Sequence, residues 1–344
     1  MHRLAIVYAL ASAALFGAST PLAKLMVGEL APLVLAGLLY LGSGVGLLGW
    51  FLLRKRDEGT APLSKTDLPW LAAAIAAGGV AGPALLMYGL TYSEASTAAL
   101  LLNLEGVFTA ALAWIVFREN VDRRIFLGMV AIVAGGVVVS WAEMPRGGLG
   151  SLLIAGACLA WGVDNNLTRR VSGGDAVIIA GTKGLVAGAV NLTLGLLQGA
   201  ALPGAAIVAS AATLGLVGYG ISLVLFVVAL RHLGTARTGA YFSVAPFFGA
   251  ALALLVLGES PSIAFWIAAA LMAAGVGLHL TERHQHQHIH EPMEHSHPHV
   301  HDEHHQHEHG FAWDGREPHV HPHAHRRLTH SHPHYPDLHH RHEH

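Results

Sequence analysis

Ten apolar stretches, each near the length of a membrane crossing, follow one another almost without a break from residue 4 to residue 280. A helix needs ~20 apolar residues to traverse the hydrocarbon core of a bilayer. The stretches that meet this length are Leu4–Val27, Ala31–Leu53, Leu68–Leu90, Ala95–Phe117, Arg124–Trp141, Leu149–Asn166, Asp175–Gln198, Ala205–Leu230, Thr235–Leu257 and Pro261–Leu280. They are continuous rather than alternating, which excludes a β-barrel. The expected fold class is an all-α membrane protein of ten transmembrane helices. Charged residues make up 12% of the chain, about half the ~25% of a soluble domain.

The charge divides into two parts. Up to Arg283 there are 16 Lys and Arg against 13 Asp and Glu; from His284 there are 4 Arg, 9 acids and 23 of the 26 histidines. The near-neutral whole therefore averages a slightly basic body and an acidic, His-rich tail. Basic residues also give an orientation. With the N-terminus in the cytoplasm, Arg3, Arg54, Lys55, Arg56, Lys65, Arg118, Arg123, Arg124, Arg169, Arg170, Arg231 and Arg237 fall on that side, against Arg146 and Lys24 opposite. An even number of spans puts the tail in the cytoplasm too. The first apolar run is too long for a signal peptide's core and other spans follow it, so no cleavable leader is expected. Cys158 is the single cysteine, which excludes an intrachain disulfide and a thiolate metal cluster.

The body repeats itself. Residues Ala95 to Glu119 and Thr235 to Glu259 share Phe108/Phe248, Ala110/Ala250, Ala111/Ala251, Leu112/Leu252, Ala113/Ala253, Val116/Val256 and Glu119/Glu259 at an offset of 140. Gly17, Leu22 and Lys24 match Gly162, Leu167 and Arg169 at 145. Each half holds five spans, so the halves must lie upside down to one another. Inverted repeats of this kind place a substrate site at the midplane between them.

FGASTPLAK and WGVDNNLTR in the first helix of each half, with the closing segments AALAWIVFREN and AALALLVLGES, resemble the drug/metabolite transporter superfamily, EamA type. The resemblance covers residues 4–281. It implies two repeats, at 1–142 and 148–281, a central cavity, and export or exchange of small polar metabolites. The first half departs from the family's habit of a basic residue early in its second helix: Leu38 and Tyr40 lie there, whereas the second half has Lys183.

Ionisable groups inside a bilayer tend to face a cavity or a partner. Three stand out. Asp164 lies about 8 Å above Arg169, and Lys183 about 12 Å from Asp175, along antiparallel consecutive helices. Their similar depth predicts an ion pair, either a structural clasp or part of a substrate site. Glu105 lies midway along the fourth span with no basic partner at its depth. It suits proton coupling or a substrate amine; the alternative is a neutral acid hydrogen-bonded to a neighbouring helix. Asn103 is two residues away on another face. Asn165, Asn166 and Asn191 add polar groups to the helices of the pair, each alone more often inter-helix glue than ligand. The candidate cavity is thus Asn103, Glu105, Asp164, Asn165, Asn166, Lys183 and Asn191. Gly42, Gly46 and Gly49 offer close helix contact. Pro21, Pro83 and Pro246, with Gly78, Gly79 and Gly82 near the second, mark breaks or ordinary kinks. Glu119 and Glu259 end their helices on opposite sides, as solvated ends or as a latch.

The tail, residues 282–344, is low in complexity and too poor in apolar residues to fold. Its candidate metal ligands are His284, His286, His288, His290, His295, His297, His299, His301, His304, His305, His307, His309, His319, His321, His323, His325, His330, His332 and His334. Neutral imidazole binds Ni, Co, Zn and Cu; a solvating or pH-sensing tail is the alternative. No resident cofactor is expected, nor nucleic acid as a partner. With no nucleotide loop and no nucleophile–base pair, the chain is not expected to be an enzyme. It reads as a secondary transporter of a bacterial inner membrane that exports a small polar or amphipathic metabolite. The rival reading is a transition-metal transport or homeostasis protein whose tail collects or senses metal.

Overall fold

The computed structural model describes residues 2–53, 65, 67–117, 123–143, 148–171, 175–233 and 241–280, and the backbone of 285–290, 293–299, 319–325 and 328–333. The helical body and the His-rich tail are separate compact units.

Among the described residues the body holds ten helices. They are α1 His2–Val27, α2 Pro32–Leu53, α3 Leu68–Tyr92, α4 Ala95–Leu101 continuing as Leu104–Phe117, and α5 Arg123–Glu143. The second half has α6 Leu149–Val171, α7 Ala176–Leu197, α8 from Ala205–Gly215 to Ser222–Leu233, α9 Ala245–Leu257 and α10 Ile263–Leu280. Seven of these are long and apolar enough to cross a membrane on length and composition alone. The described helix α6 runs five residues past the expected Asn166, so Asp164, Asn165 and Asn166 sit inside a helix rather than at its end.

Neighbour relations carry the internal symmetry. Helix α3 packs on α6 as α8 packs on α1; the second piece of α4 packs on α6 as α9 packs on α1. The two self-equivalent pairs, α2 with α7 and α5 with α10, share the most extensive contacts. Small residues permit the first of these. A methyl group added at Gly44 would lie 2.4 Å from Leu185 N, and one at Gly184 would lie 2.7 Å from Gly44 Cα. Close backbone approach of this kind replaces the hydrophobic drive that lipid does not supply. Of the three glycines singled out on α2, Gly42 meets Ala212 and Gly46 meets Leu216 on α8, while Gly49 meets nothing within 4 Å.

Leu35, Leu39, Leu86, Met87, Leu100, Leu101 and Met272 lie at the centre, all below 2% exposure. Leu53, Leu255 and Ile263, 90%, 83% and 80% exposed, stand on the outside. An apolar outer face is what a bilayer solvates.

Helices α3 and α8 each carry a π-turn, at Ile75–Ala81 and Leu216–Ile221, positions that the repeat makes equivalent. In α3 the cause is local. Pro83 has no N–H to give to the carbonyl of Gly79 and its ring crowds that group, so the turn widens. Freed carbonyls inside a membrane need new donors, and they find them. Tyr40 Oη (3.1 Å) and Trp161 Nε1 (2.9 Å) donate to Gly78 O, and Asn191 Nδ2 donates to Gly79 O at 3.0 Å. The break expected at Pro83 is this π-turn.

In the tail, four short strands are described: β1 Gln285–His290, β2 Met293–His299, β3 His319–His325 and β4 Leu328–Pro333. β1 pairs with β4 and β2 with β3, both antiparallel. Pro298 and Pro322 bar a helix here, and two-stranded ribbons alone are marginal in water.

Candidate functional site

Helix α4 breaks at mid-length because Asn103 competes with its own backbone. Its Nδ2 donates to Leu100 O at 2.9 Å, beside the tight bonds from Asn103 N to Leu100 O and from Glu105 N to Leu102 O, both 3.1 Å. Local side-chain bonds of this kind displace the regular ladder. The second piece, Leu104–Phe117, therefore starts afresh with Glu105 in its first turn, where the exposed N–H groups favour negative charge. Broken helices that aim their ends at the midplane are a recurrent way to build a transporter site.

Glu105 is half-buried. Its Oε1 accepts from Asn165 Nδ2 at 2.9 Å, and the same amide donates to Thr109 Oγ1 at 3.2 Å. Asn165 and Gly106 are exposed, and a methyl group at Gly106 would meet nothing within 4 Å. Open space thus lies at Gly106, the residue next to this carboxylate in the chain.

The ion pair expected from helix depth is present. Lys183 Nζ lies 2.5 Å from Asp164 Oδ1 and 2.7 Å from Oδ2, and donates to Thr168 Oγ1 at 3.1 Å. The Thr168 hydroxyl in turn donates to Asp164 Oδ1 at 2.8 Å. The side chains are 17% and 9% exposed. The π-turn of α3 makes room: a methyl at Gly78 would fall 2.0 Å from Asp164 Oδ2.

The remaining candidates separate from this cluster. Asn103 is buried with its amide 3.8 Å from Met272 Sδ, turned toward α10 rather than to Glu105. Asn166 is buried and donates to Gly162 O (2.8 Å) and Thr109 O (3.1 Å), joining α6 to α4. Asn191 is wholly buried against the π-turn of α3. These three brace the helices that carry Glu105, Asp164 and Lys183.

A row of rings was not legible in the sequence. Tyr40 on α2 lies 5.6 Å from Tyr219 in the π-turn of α8, Tyr219 5.7 Å from Phe16 on α1, Phe16 5.4 Å from Phe242, and Phe242 5.0 Å from Phe226. All five are half-buried. Tyr40 donates to Gly78 O at 3.1 Å, and Gly78 abuts the Asp164 carboxylate. The site is therefore lopsided. The repeat equivalents of Asp164, Lys183 and Glu105 are Ser19, Leu38 and Ala245; charge comes from α4, α6 and α7, and most of the rings from α1, α2 and α8.

One end of the bundle is closed. Residues Ala95 to Leu101 of α4 are at most 4% exposed, and this piece packs on α9. Gly258, at φ 64°, ends α9 in the left-handed conformation that glycine adopts freely. The chain then turns, and Glu259 reaches the other half: Oε1 accepts from Ala95 N at 2.8 Å and Oε2 from Ser96 N at 2.9 Å. A carboxylate from the second half so caps a helix of the first. Beside it, Lys24 Nζ donates to Leu90 O, and to Ser93 O at 2.8 Å, satisfying carbonyls at the end of α3. Glu259 is thus bonded across the halves rather than a solvated helix end alone. Glu119 lies outside the described residues. The repeat equivalents of the buried Leu101, Leu102 and Asn103 are Tyr241, Phe242 and Ser243, which are only half-buried.

Among the described residues, no group of three or more His, Cys, Asp or Glu is placed to hold a metal ion. His284, His301, His304, His305, His307, His309 and His334 lie outside the described residues.

Comparison with known proteins agrees with this architecture. A family model, the EamA-like transporter family, matches residues 3–141 and again 148–281. An uncharacterized transporter of Methanothermobacter thermautotrophicus (strain Delta H) is 29% identical over 283 residues, which span 76% of this chain and 81% of that one. A crystal structure superposes with a TM-score of 0.60 at 21% identity, over 82% of this chain and 98% of its own; that likeness is one of fold. With two copies of the family's domain filling its helical body, the chain belongs to the EamA-like transporter family and is a multi-pass membrane transporter.

Proposed function

We propose that the protein is a secondary active transporter that moves a small polar or amphipathic metabolite out of the cell by alternating access between its two inverted halves. The observation that carries this reading is the polar cluster of Glu105, Asn165, Asp164 and Lys183 beside open space at Gly106, while the Glu259 end is sealed. A site open to one side only is one of the two states that alternating access requires. Basic residues favour a cytoplasmic N-terminus and tail in an inner membrane. On that orientation the sealed end faces outward, and the cavity awaits cargo from the cytoplasm. Lys183 and Asp164 hold polar groups of the cargo, and Glu105 supplies the remaining charge. The test is thermal stabilisation of the purified protein by a panel of metabolites, since a ligand that binds only the folded state raises its stability. Ligands that stabilise the wild type and not Lys183→Ala support the reading. Cargo transport that is unchanged in a well-expressed Lys183→Ala variant removes Lys183 from the site.

A second activity rests on the tail. The strand register sets His286 opposite His332, His288 opposite His330, His295 opposite His323, His297 opposite His321 and His299 opposite His319. Histidine positions are thus paired in the register of each ribbon. We propose that the tail binds Ni, Co, Zn or Cu there and reports or buffers metal for the transporter. Calorimetry with each ion on the full chain and on a chain ending at residue 283 tests it; equal binding by both refutes it.

A further inference from the structure

The cluster at mid-depth has two charged components, but only one is available to a ligand. Asp164 and Lys183 neutralise each other through two short contacts, and Thr168 occupies a further position on each. Among the described residues Glu105 has no such partner: a neutral amide bonds one of its oxygens. With Glu105 ionised, the summed charge of the three groups is one negative. A desolvated site with a net negative charge favours a cation and disfavours an anion.

The rings define the rest of the ligand. Tyr40, Tyr219, Phe16 and Phe242 follow one another at 5.4–5.7 Å between centroids, half-buried rather than sealed in the core. Tyr40 places one end of this row beside the charged groups: its hydroxyl donates to Gly78 O at 3.1 Å, and Gly78 abuts the Asp164 carboxylate. Ring faces attract cations and receive apolar groups. The row also crosses the boundary between halves, with Tyr40 and Phe16 from the first and Tyr219 and Phe242 from the second. A ligand lying on it touches both moving parts.

We propose that the cargo is an organic cation: a protonated or quaternary amine on an apolar, preferably aromatic, body. Its charge sits at Glu105, oriented by Asn165, and its body lies on the Tyr40–Tyr219–Phe16 row. This assignment rests on the cavity reading given above and narrows it to one charge class.

The test uses the full chain in lipid nanodiscs and four probes of similar shape: phenethylammonium, its trimethylated analogue, phenethyl alcohol and hydrocinnamate. Expected is tenfold or tighter binding of both cations over the alcohol, and weaker binding still of the acid. Glu105→Gln keeps an oxygen for Asn165 and so should fold normally, yet it should erase the preference for cations over the alcohol. Glu105→Asp should retain part of it. Tyr219→Ala should weaken both cations severalfold without reversing their preference over hydrocinnamate. Binding of hydrocinnamate at least as tight as that of the amines overturns the proposal, as does an undiminished cation preference in Glu105→Gln. So does no binding of either amine. Water access to Gly106→Cys, measured by maleimide labelling in the same nanodiscs, separates the two levels. With access present, failure of the amines removes only the cation assignment; without access the cavity itself is wrong.

Discussion

The Asp164–Lys183 pair can be a clasp, a ligand site or both, and a double-mutant cycle separates these roles. Both side chains are mostly buried and bonded at 2.5–3.1 Å to each other or to Thr168. Removing one partner leaves the other charge unpaired, which costs ~3–5 kcal/mol at a buried site. Residual exposure of 17% and 9% moves the expectation to the lower end, about 3 kcal/mol for Asp164→Asn or Lys183→Met. At ~2 °C per kcal/mol for a body of this size, each single variant should melt about 6 °C lower. The double variant has no unpaired charge. It should regain most of that loss and melt within about 2 °C of wild type, a coupling of about 5 kcal/mol. Melting in nanodiscs is read beside transport in proteoliposomes. A double variant that is stable and inactive assigns the pair to the cargo. A stable and active one reduces it to a clasp. Additive destabilisation, with the double falling by the sum of the singles, refutes the electrostatic reasoning itself.

Glu259→Ala removes two charge-assisted bonds from the first turn of α4, each worth ~1.5–3 kcal/mol. In a Cys158→Ala background it should raise maleimide labelling of Ser96→Cys from the outward side at least tenfold; unchanged labelling refutes the latch. Gly78→Ala puts a methyl 2.0 Å from the Asp164 carboxylate and should lower both melting temperature and transport. Gly49→Ala, with nothing within 4 Å of the new group, should change stability by at most about 1 kcal/mol, in the favourable direction. Removing residues 284–344 should abolish tight Ni or Zn binding and leave the body's melting temperature unchanged, read by calorimetry and thermal scanning.

The ten spans and the inverted repeat were legible because a bilayer imposes length and apolarity on every crossing, and duplication left a constant offset. The Asp164–Lys183 pair was legible from depth alone: two antiparallel helices of known rise put the charges level. The bonding of Asn103 was not legible from its place in the sequence. Its effect is on its own helix, where a bond to Leu100 O breaks α4 and so brings Glu105 to a helix start. A two-residue spacing cannot reveal that. Asn165 was grouped with Asn166 and Asn191 as equals, yet only Asn165 reaches Glu105, because one step along a helix turns a side chain by ~100°. The ring row escaped notice because its members come from widely separated parts of the chain and share no local spacing. The π-turn in α3 announced itself through Gly78, Gly79 and Pro83. That in α8 lacks the proline and showed only through its symmetry with α3.

Alternating access requires a cavity between the inverted halves that is open at one end at a time. Single cysteines at Gly106 and Thr97, each without Cys158, test it in oriented membrane vesicles with an impermeant maleimide. Gly106→Cys should react from the side carrying the N-terminus and not from the other, while Thr97→Cys, 4% exposed in the sealed piece of α4, should resist reagent from both sides. Adding a transported cargo should slow the first reaction and speed the second from the outward side. Labelling of Gly106→Cys from both sides, from neither, or only from the Glu259 side would contradict the account.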